Sequence, residues 1–312
     1  MSAAKPVTLS SERGERKASE NRALRRFFAH RGAVVGAILL TLILLYVTIG
    51  SLIFSEADAN FADSGRRLQP PSAEHIFGTD NIGRDVFART IYGGQISLMI
   101  GLLAVTVSVT IGVTIGVVTG YYGGIVDSIL MRITEAMLSI PTLLLLLLIA
   151  NVFGSRFPSV QLFGRTFSGS VVVIILIIGL TSWMYLARIV RSLVLSLKET
   201  EYIVAARAIG ARDVRIIANH LLPNILAPVI VTATLGIAGA ILQESYISFL
   251  GVGVGPPTAT WGNILDGSRQ FFDRAPWLWV APGTLIVLTV MSINFLGDGL
   301  RDALDPRSDK TA

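Results

Sequence analysis

The sequence predicts an all-α membrane protein with six transmembrane helices and both termini in the cytoplasm. Hydrophobic residues make up 52% of the 312 residues and charged residues only 15%, whereas a soluble domain has about 25% charged residues. The apolar residues gather in six long runs, and the basic residues cluster between particular runs. Backbone groups in lipid must be satisfied within the spanning segment, so each run is predicted to be a helix.

Each apolar run approaches or exceeds the roughly 20 residues that a helix needs to cross the hydrocarbon core. The runs lie near residues 33–54, 95–119, 128–153, 170–190, 225–249 and 278–297. The first run is longer than the core of a signal peptide, which favours a retained span. In the second, Gly112, Gly116 and Gly120 predict close packing against another helix. In the third, Pro141 predicts a kink.

The basic residues predict the orientation. Seventeen Lys and Arg lie in the amino-terminal segment, in the connection between the fourth and fifth runs, and in the tail, against eight on the other side. Basic residues are enriched in cytoplasmic loops, which places these three segments in the cytoplasm. The chain is thus divided into a basic segment (1–32), a transmembrane domain (33–298) that includes a cytoplasmic loop (190–224), and a tail (299–312).

The two longest outer loops are predicted to be residues 55–90 and 251–277. The second contains Trp261 and Trp277. Tryptophan is enriched at membrane interfaces, so both side chains are predicted to anchor the protein there.

Ionisable residues in the third and fifth apolar runs are candidates for function. Arg132 and Glu135 are three residues apart and share a helix face, where they can pair. Glu244 is near the outer end of the fifth run. Ionisable residues in a membrane often mark a transport path, so these three residues, with Pro141, are candidates for the substrate path or gate. A purely structural ion pair is the alternative for Arg132 and Glu135.

The sequence argues against an enzyme. It contains no His-Glu-x-x-His zinc motif, no phosphate-binding loop ending in Gly-Lys-Ser/Thr and no Gly-x-Ser-x-Gly elbow. We therefore expect no catalytic residue, no metal site and no cofactor in this chain. If transport is active, another chain must supply its energy.

The cytoplasmic loop 190–224 is charged and favours helix on both sides of Gly210. Its spacing resembles the loop through which permeases of ABC importers contact their ATPases. The residues that this resemblance assigns to the ATPase-coupling loop are Ala205, Ala206, Arg207, Gly210, His220, Leu222 and Pro223. The match departs at Val204, where the family has Glu, and at His220, where it has an apolar residue.

Three further stretches extend the resemblance to nearly the whole chain. They are Phe77–Gly101, Ser248–Leu265 and Phe295–Arg307. Together they look like the second permease subunit of the dipeptide/oligopeptide/nickel family of ABC importers. The resemblance implies the type I permease fold, a place in the bacterial inner membrane, and half of a pathway for short peptides or related small solutes.

The same resemblance implies the partners. They are a homologous permease subunit, two ATPase subunits or domains that bind ATP and Mg²⁺, and an extracytoplasmic substrate-binding protein. Membrane lipid surrounds the complex, and no nucleic acid is expected. The competing hypothesis is a self-sufficient secondary transporter or channel that uses Arg132, Glu135 and Glu244. Uptake driven by an ion gradient in the isolated chain would favour that alternative.

Overall fold

The computed structural model describes residues 24–154, 156–162 and 165–304. Residues 24–29 are helical. The helices after them are α1 (Arg31–Ile53), α2 (Glu56–Asn60), α3 (Val86–Tyr122), α4 (Gly124–Leu138), α5 (Thr142–Phe153), α6 (Gly169–Leu197), α7 (Glu201–Ala208), α8 (Asp213–Ile216), α9 (Leu222–Phe249), α10 (Trp261–Ser268) and α11 (Trp277–Leu304). A 3₁₀ turn spans Ser64–Arg66, and a π-helical turn, Ile217–Leu221, joins α8 to α9. Strands β1 (Val160–Leu162) and β2 (Arg165–Phe167) form a short antiparallel hairpin.

The spans agree with the predicted all-α membrane fold. Helices α1, α3, α6 and α11, and the continuous stretch Asp213–Phe249, are long and apolar enough to cross a membrane. The remaining run is the pair α4 and α5, which are bent by 85° relative to each other and form the sixth span if taken together. The bend lies at Pro141, where a kink was predicted, because the residue before a proline is disfavoured in a helix.

Helix α3 is the central element, 37 residues long, and it packs extensively on α6. The glycines at four-residue spacing make this contact. A Cβ on Gly116 would lie 2.6 Å from the Cβ of Val190, and one on Gly120 would lie 2.8 Å from the Cβ of Val194. The predicted close packing of this stripe is confirmed, because any larger residue would push α3 and α6 apart.

The outer segment before α3 is ordered by its polar side chains. Asp80 accepts hydrogen bonds from the backbone N–H groups of Ile82 and Arg84, at 3.0 and 2.9 Å. Asp85 caps α3 by accepting from the N–H of Ala88 at 2.8 Å. The outer end of α3 is therefore held by a folded segment, and the predicted loop 55–90 ends earlier, where α3 begins at Val86.

The two outer tryptophans are not simple interfacial anchors. Trp261 is completely buried, and its Nε1–H donates to the carbonyl of Thr90 at 2.9 Å. Trp277 donates to the carbonyl of Thr79 at 3.1 Å. The anchoring prediction is therefore wrong for Trp261, a core residue that joins α10 to α3.

Candidate functional site

The cytoplasmic loop folds as a helical hairpin, which we call the coupling hairpin (residues 200–221). It consists of α7, a turn at Gly210, α8 and the π-helical turn. Gly210 has φ of 83°, and its N–H donates to the carbonyl of Arg207 at 3.0 Å, while the N–H of Ala211 donates to the carbonyl of Ala206 at 3.1 Å. This pair of bonds is a Schellman motif, which requires the left-handed backbone that glycine adopts readily.

One face of the coupling hairpin is anchored in the bundle. Ile203, Ile216 and Leu221 are fully buried. They form one apolar cluster with Val190 and Val194 of α6. The hairpin therefore sits directly on the cytoplasmic end of α6, with α7 and the π-helical turn covering the cluster.

A polar contact also joins the hairpin to α3. The hydroxyl of Tyr121, in the last turn of α3, donates to Oδ1 of Asp213 at 2.6 Å. The guanidinium of Arg207 lies 5.6 Å from the centre of the Tyr121 ring. Sequence analysis missed Tyr121 and Asp213, because they are 92 residues apart and neither belongs to a recognisable motif.

The opposite face of the hairpin exposes apolar side chains at its tip. Ile209 is 87% exposed, Val214 is 75% exposed and Val204 is 51% exposed. Ala205 is exposed beside them, whereas Ala206 is half-buried. Large apolar side chains held in water on a rigid turn are typical of a protein-binding surface. We call Val204, Ala205, Ile209 and Val214 the apolar tip.

The remaining matched residues close the hairpin. Pro223 is the second residue of α9 and follows the π-helical turn, which leads into α9 without a break. Leu222 begins the same helix. The carbonyl of His220 accepts from Nδ2 of Asn224 at 2.6 Å, and its ring lies 6.2 Å from that of Tyr202. These contacts set the angle at which the chain leaves the hairpin.

A cavity of about 980 Å³ lies between α3, α6, α9 and α11. It reaches from Gln243, in the outer part of α9, to Asn224 and Arg301 at the cytoplasmic ends of α9 and α11. Most of its lining is apolar or small. The polar side chains among the described lining residues are Ser108, Ser182, Tyr185, Asn224, Thr232, Gln243 and Arg301.

The four residues predicted for the substrate path lie elsewhere among the described residues. Arg132 and Glu135 form a 4.0 Å ion pair on α4, with side chains 86% and 63% exposed. Pro141 is at the bend between α4 and α5. Glu244 is fully buried among hydroxyl groups and does not face the cavity. Gln243, the residue next to Glu244 in the sequence, does line the cavity.

Comparison with known proteins places this architecture in a family. Residues 112–310 match the family described as binding-protein-dependent transport system inner membrane component. Residues 21–71 match the N-terminal transmembrane domain of oligopeptide transport permease C.

Individual relatives agree with the family matches. A dipeptide transport system permease protein of Alkalihalophilus pseudofirmus is 42% identical over 285 residues, which cover 91% of this chain and 89% of the relative. A putative peptide transport system permease protein of Brucella abortus is 42% identical over 286 residues, covering 91% and 90%.

A solved structure shares the fold. A chain of the MetNI methionine ABC transporter, in inward-facing conformations, superposes with a TM-score of 0.52 at 22% identity, covering 68% of this chain and 95% of that one. The chain therefore belongs to the family of inner-membrane components of binding-protein-dependent transport systems, and it is a multi-pass permease subunit of an ABC importer rather than an enzyme.

Proposed function

We propose that this permease forms half of an ATP-driven import pathway for short peptides and that the coupling hairpin transmits the work of separate ATPase subunits. The single observation that carries the coupling role is the apolar tip, exposed on a hairpin whose other face is packed on the bundle. An ATPase that binds the apolar tip can move the coupling hairpin. The hairpin in turn moves α3 through Tyr121 and α6 through the buried apolar cluster. Both helices line the cavity.

The cavity supports a peptide as the substrate. Among the described residues its lining is mainly apolar, with scattered hydroxyl and amide groups and one charged side chain, Arg301, at the cytoplasmic mouth. Such a surface can pass side chains of many kinds without holding any of them tightly. The relatives named as dipeptide and peptide permeases point to the same substrate class.

The partners follow from this assignment. We propose that a second, homologous permease completes the pathway, that two ATPase subunits bind ATP and Mg²⁺, and that a binding protein delivers the substrate from outside. Nucleotide binding in one chain would then shift the conformational equilibrium of another, which is allosteric coupling.

The test is purification of the tagged chain from its native membrane in mild detergent, followed by reconstitution. We expect a second permease and an ATPase to co-purify in fixed ratio. Proteoliposomes that contain the complex and the binding protein should accumulate a labelled dipeptide only with ATP. Uptake by the isolated chain under an ion gradient would contradict the proposal.

Replacing Tyr121 with phenylalanine should weaken coupling without preventing assembly. The change removes only the hydroxyl that binds Asp213, a loss of about 1 kcal/mol. We expect the ATPase still to co-purify, while the amount of dipeptide transported per ATP falls several-fold. Tyr122→Phe is the matched control, because the Tyr122 side chain is 55% exposed. Equal transport per ATP in the two variants would show that Tyr121 does not transmit the motion.

A further inference from the structure

The segment that leads from α9 into α10, residues 250–261 with the first residue of α10 included, is folded into the outer end of the bundle; we call it the plug segment. Val254 is 4% exposed, Thr258 is 3% exposed, Ala259 is 5% exposed and Thr260 is fully buried. An outer connection of this kind normally lies in solvent. The buried part of the segment therefore fills space between the helices.

Two hydrogen-bonded relays hold the plug segment, and both end on the carboxyl group of Glu244. In the first, the N–H of Trp261 donates to Oγ of Ser97 at 3.2 Å, and that hydroxyl donates to Oε2 of Glu244 at 3.0 Å. In the second, the N–H of Val254 donates to Oγ of Ser248 at 3.2 Å, and that hydroxyl donates to Oε1 at 2.7 Å. Each relay therefore ties the backbone of the plug segment to Glu244 through one serine.

Ser97 belongs to α3, whereas Glu244 and Ser248 belong to α9. The network therefore joins two of the helices that line the cavity to the segment that lies between their outer ends.

The plug segment also packs against the outer parts of helices that line the cavity. Val254 belongs to one apolar cluster with Ala104 and Ala240, which line the cavity. The N–H of Gly255 donates to Oγ of Ser170, in the first turn of α6, at 3.0 Å. The plug segment thus bonds to α3, α6 and α9, which line the cavity.

We propose that Glu244 is a positioning residue that fastens the plug segment across the outer ends of α3 and α9 and keeps the path closed on that side. Buried hydroxyl and N–H groups without partners are unfavourable, so the relays stabilise the closed arrangement only while Glu244 accepts from both serines. Separation of α3 from α9 breaks the bond from Ser97 and releases the Trp261 end of the plug segment. The inference rests on the proposed pathway, but its test does not require transport.

The experiment measures access to the plug segment. The native chain has no cysteine, so Ala259→Cys supplies a single buried reporter. The membrane-embedded complex is treated from outside with a membrane-impermeant maleimide. We expect slow labelling in this parent, and labelling faster by about tenfold or more when Glu244→Ala removes both relays, since one lost hydrogen bond corresponds to about that factor.

Matched variants separate release of the plug from general damage. Glu244→Gln presents an amide NH₂ to one serine and Ser248→Ala breaks the second relay, so both should give intermediate labelling rates. Ser245→Ala should leave the rate unchanged, because this buried hydroxyl donates to the carbonyl of Ile241 in its own helix. A second reporter, Ala187→Cys, lies in α6 at a fully buried position and should stay unreactive to a permeant maleimide in every variant.

Each outcome decides the proposal. Faster labelling at position 259 alone supports it, and parental rates in Glu244→Ala overturn it. If both reporters react in Glu244→Ala, the decision passes to Glu244→Gln and Ser248→Ala, where a rise at position 259 alone supports the proposal and no rise overturns it. Because the readout is accessibility, a failure of the proposed peptide import would leave these results unaffected.

Discussion

Gly210→Pro is expected to abolish ATP-driven uptake while the protein still inserts in the membrane. Proline cannot adopt the φ of 83° at this position, and it lacks the N–H that donates to the carbonyl of Arg207. The Schellman motif is then lost, so α7 and α8 cannot keep their relative direction. Uptake and membrane abundance are measured in the same cells.

Two substitutions at the same position serve as controls. Gly210→Asn retains the N–H and tolerates a left-handed backbone, so it should keep most of the uptake. Gly210→Ala has room for its Cβ but not the favoured backbone, so it should be intermediate. Normal uptake by Gly210→Pro at normal abundance would show that the turn is not needed for coupling.

Ile209→Asp is expected to release the ATPase from the permease. The side chain is 87% exposed, so the change should leave the folded permease about as stable as before. In the complex, a charge would be buried in an apolar contact, and a central interface residue contributes about 2 kcal/mol or more, roughly a 30-fold change in affinity.

The measurement is the dissociation constant for binding of the ATPase to the purified pair of permease subunits. Ile209→Leu keeps an apolar side chain of the same size and should bind almost normally. Adding Val214→Asp to Ile209→Asp should weaken binding further, because the two side chains share the apolar tip. Unchanged affinity in the double variant would mean that the ATPase binds elsewhere on the permease.

The spans and the turn of the coupling hairpin could be predicted because their causes are local. Hydrophobic length specifies a span. Gly210 marks the hairpin turn because a left-handed residue ends α7 there. The stripe of glycines in α3 is visible at its four-residue spacing, and the structure packs it on α6.

The contacts that connect these parts could not be predicted, since they join distant segments. Glu244 accepts from Ser97 across 147 positions of the sequence, and Trp261 bonds to Thr90 across 171. A glutamate in a span therefore looked like a path residue, and an outer tryptophan looked like an anchor. Ile209 was also missed, because nothing in a linear pattern shows whether an apolar residue beside a turn faces inward or outward.

The length of α3 makes it a lever. At 1.5 Å per residue its 37 residues extend about 55 Å, and its outer end is pinned where Trp261 donates to the carbonyl of Thr90. Ala104, in the cavity wall, lies close to the midpoint of α3, and Tyr121 lies near its cytoplasmic end. If α3 pivots about its pinned end, a displacement applied at Tyr121 falls to about half at Ala104, by the same rise per residue. A small push by the ATPase would therefore widen or narrow the cytoplasmic mouth most, the mid-membrane wall less, and the outer end least.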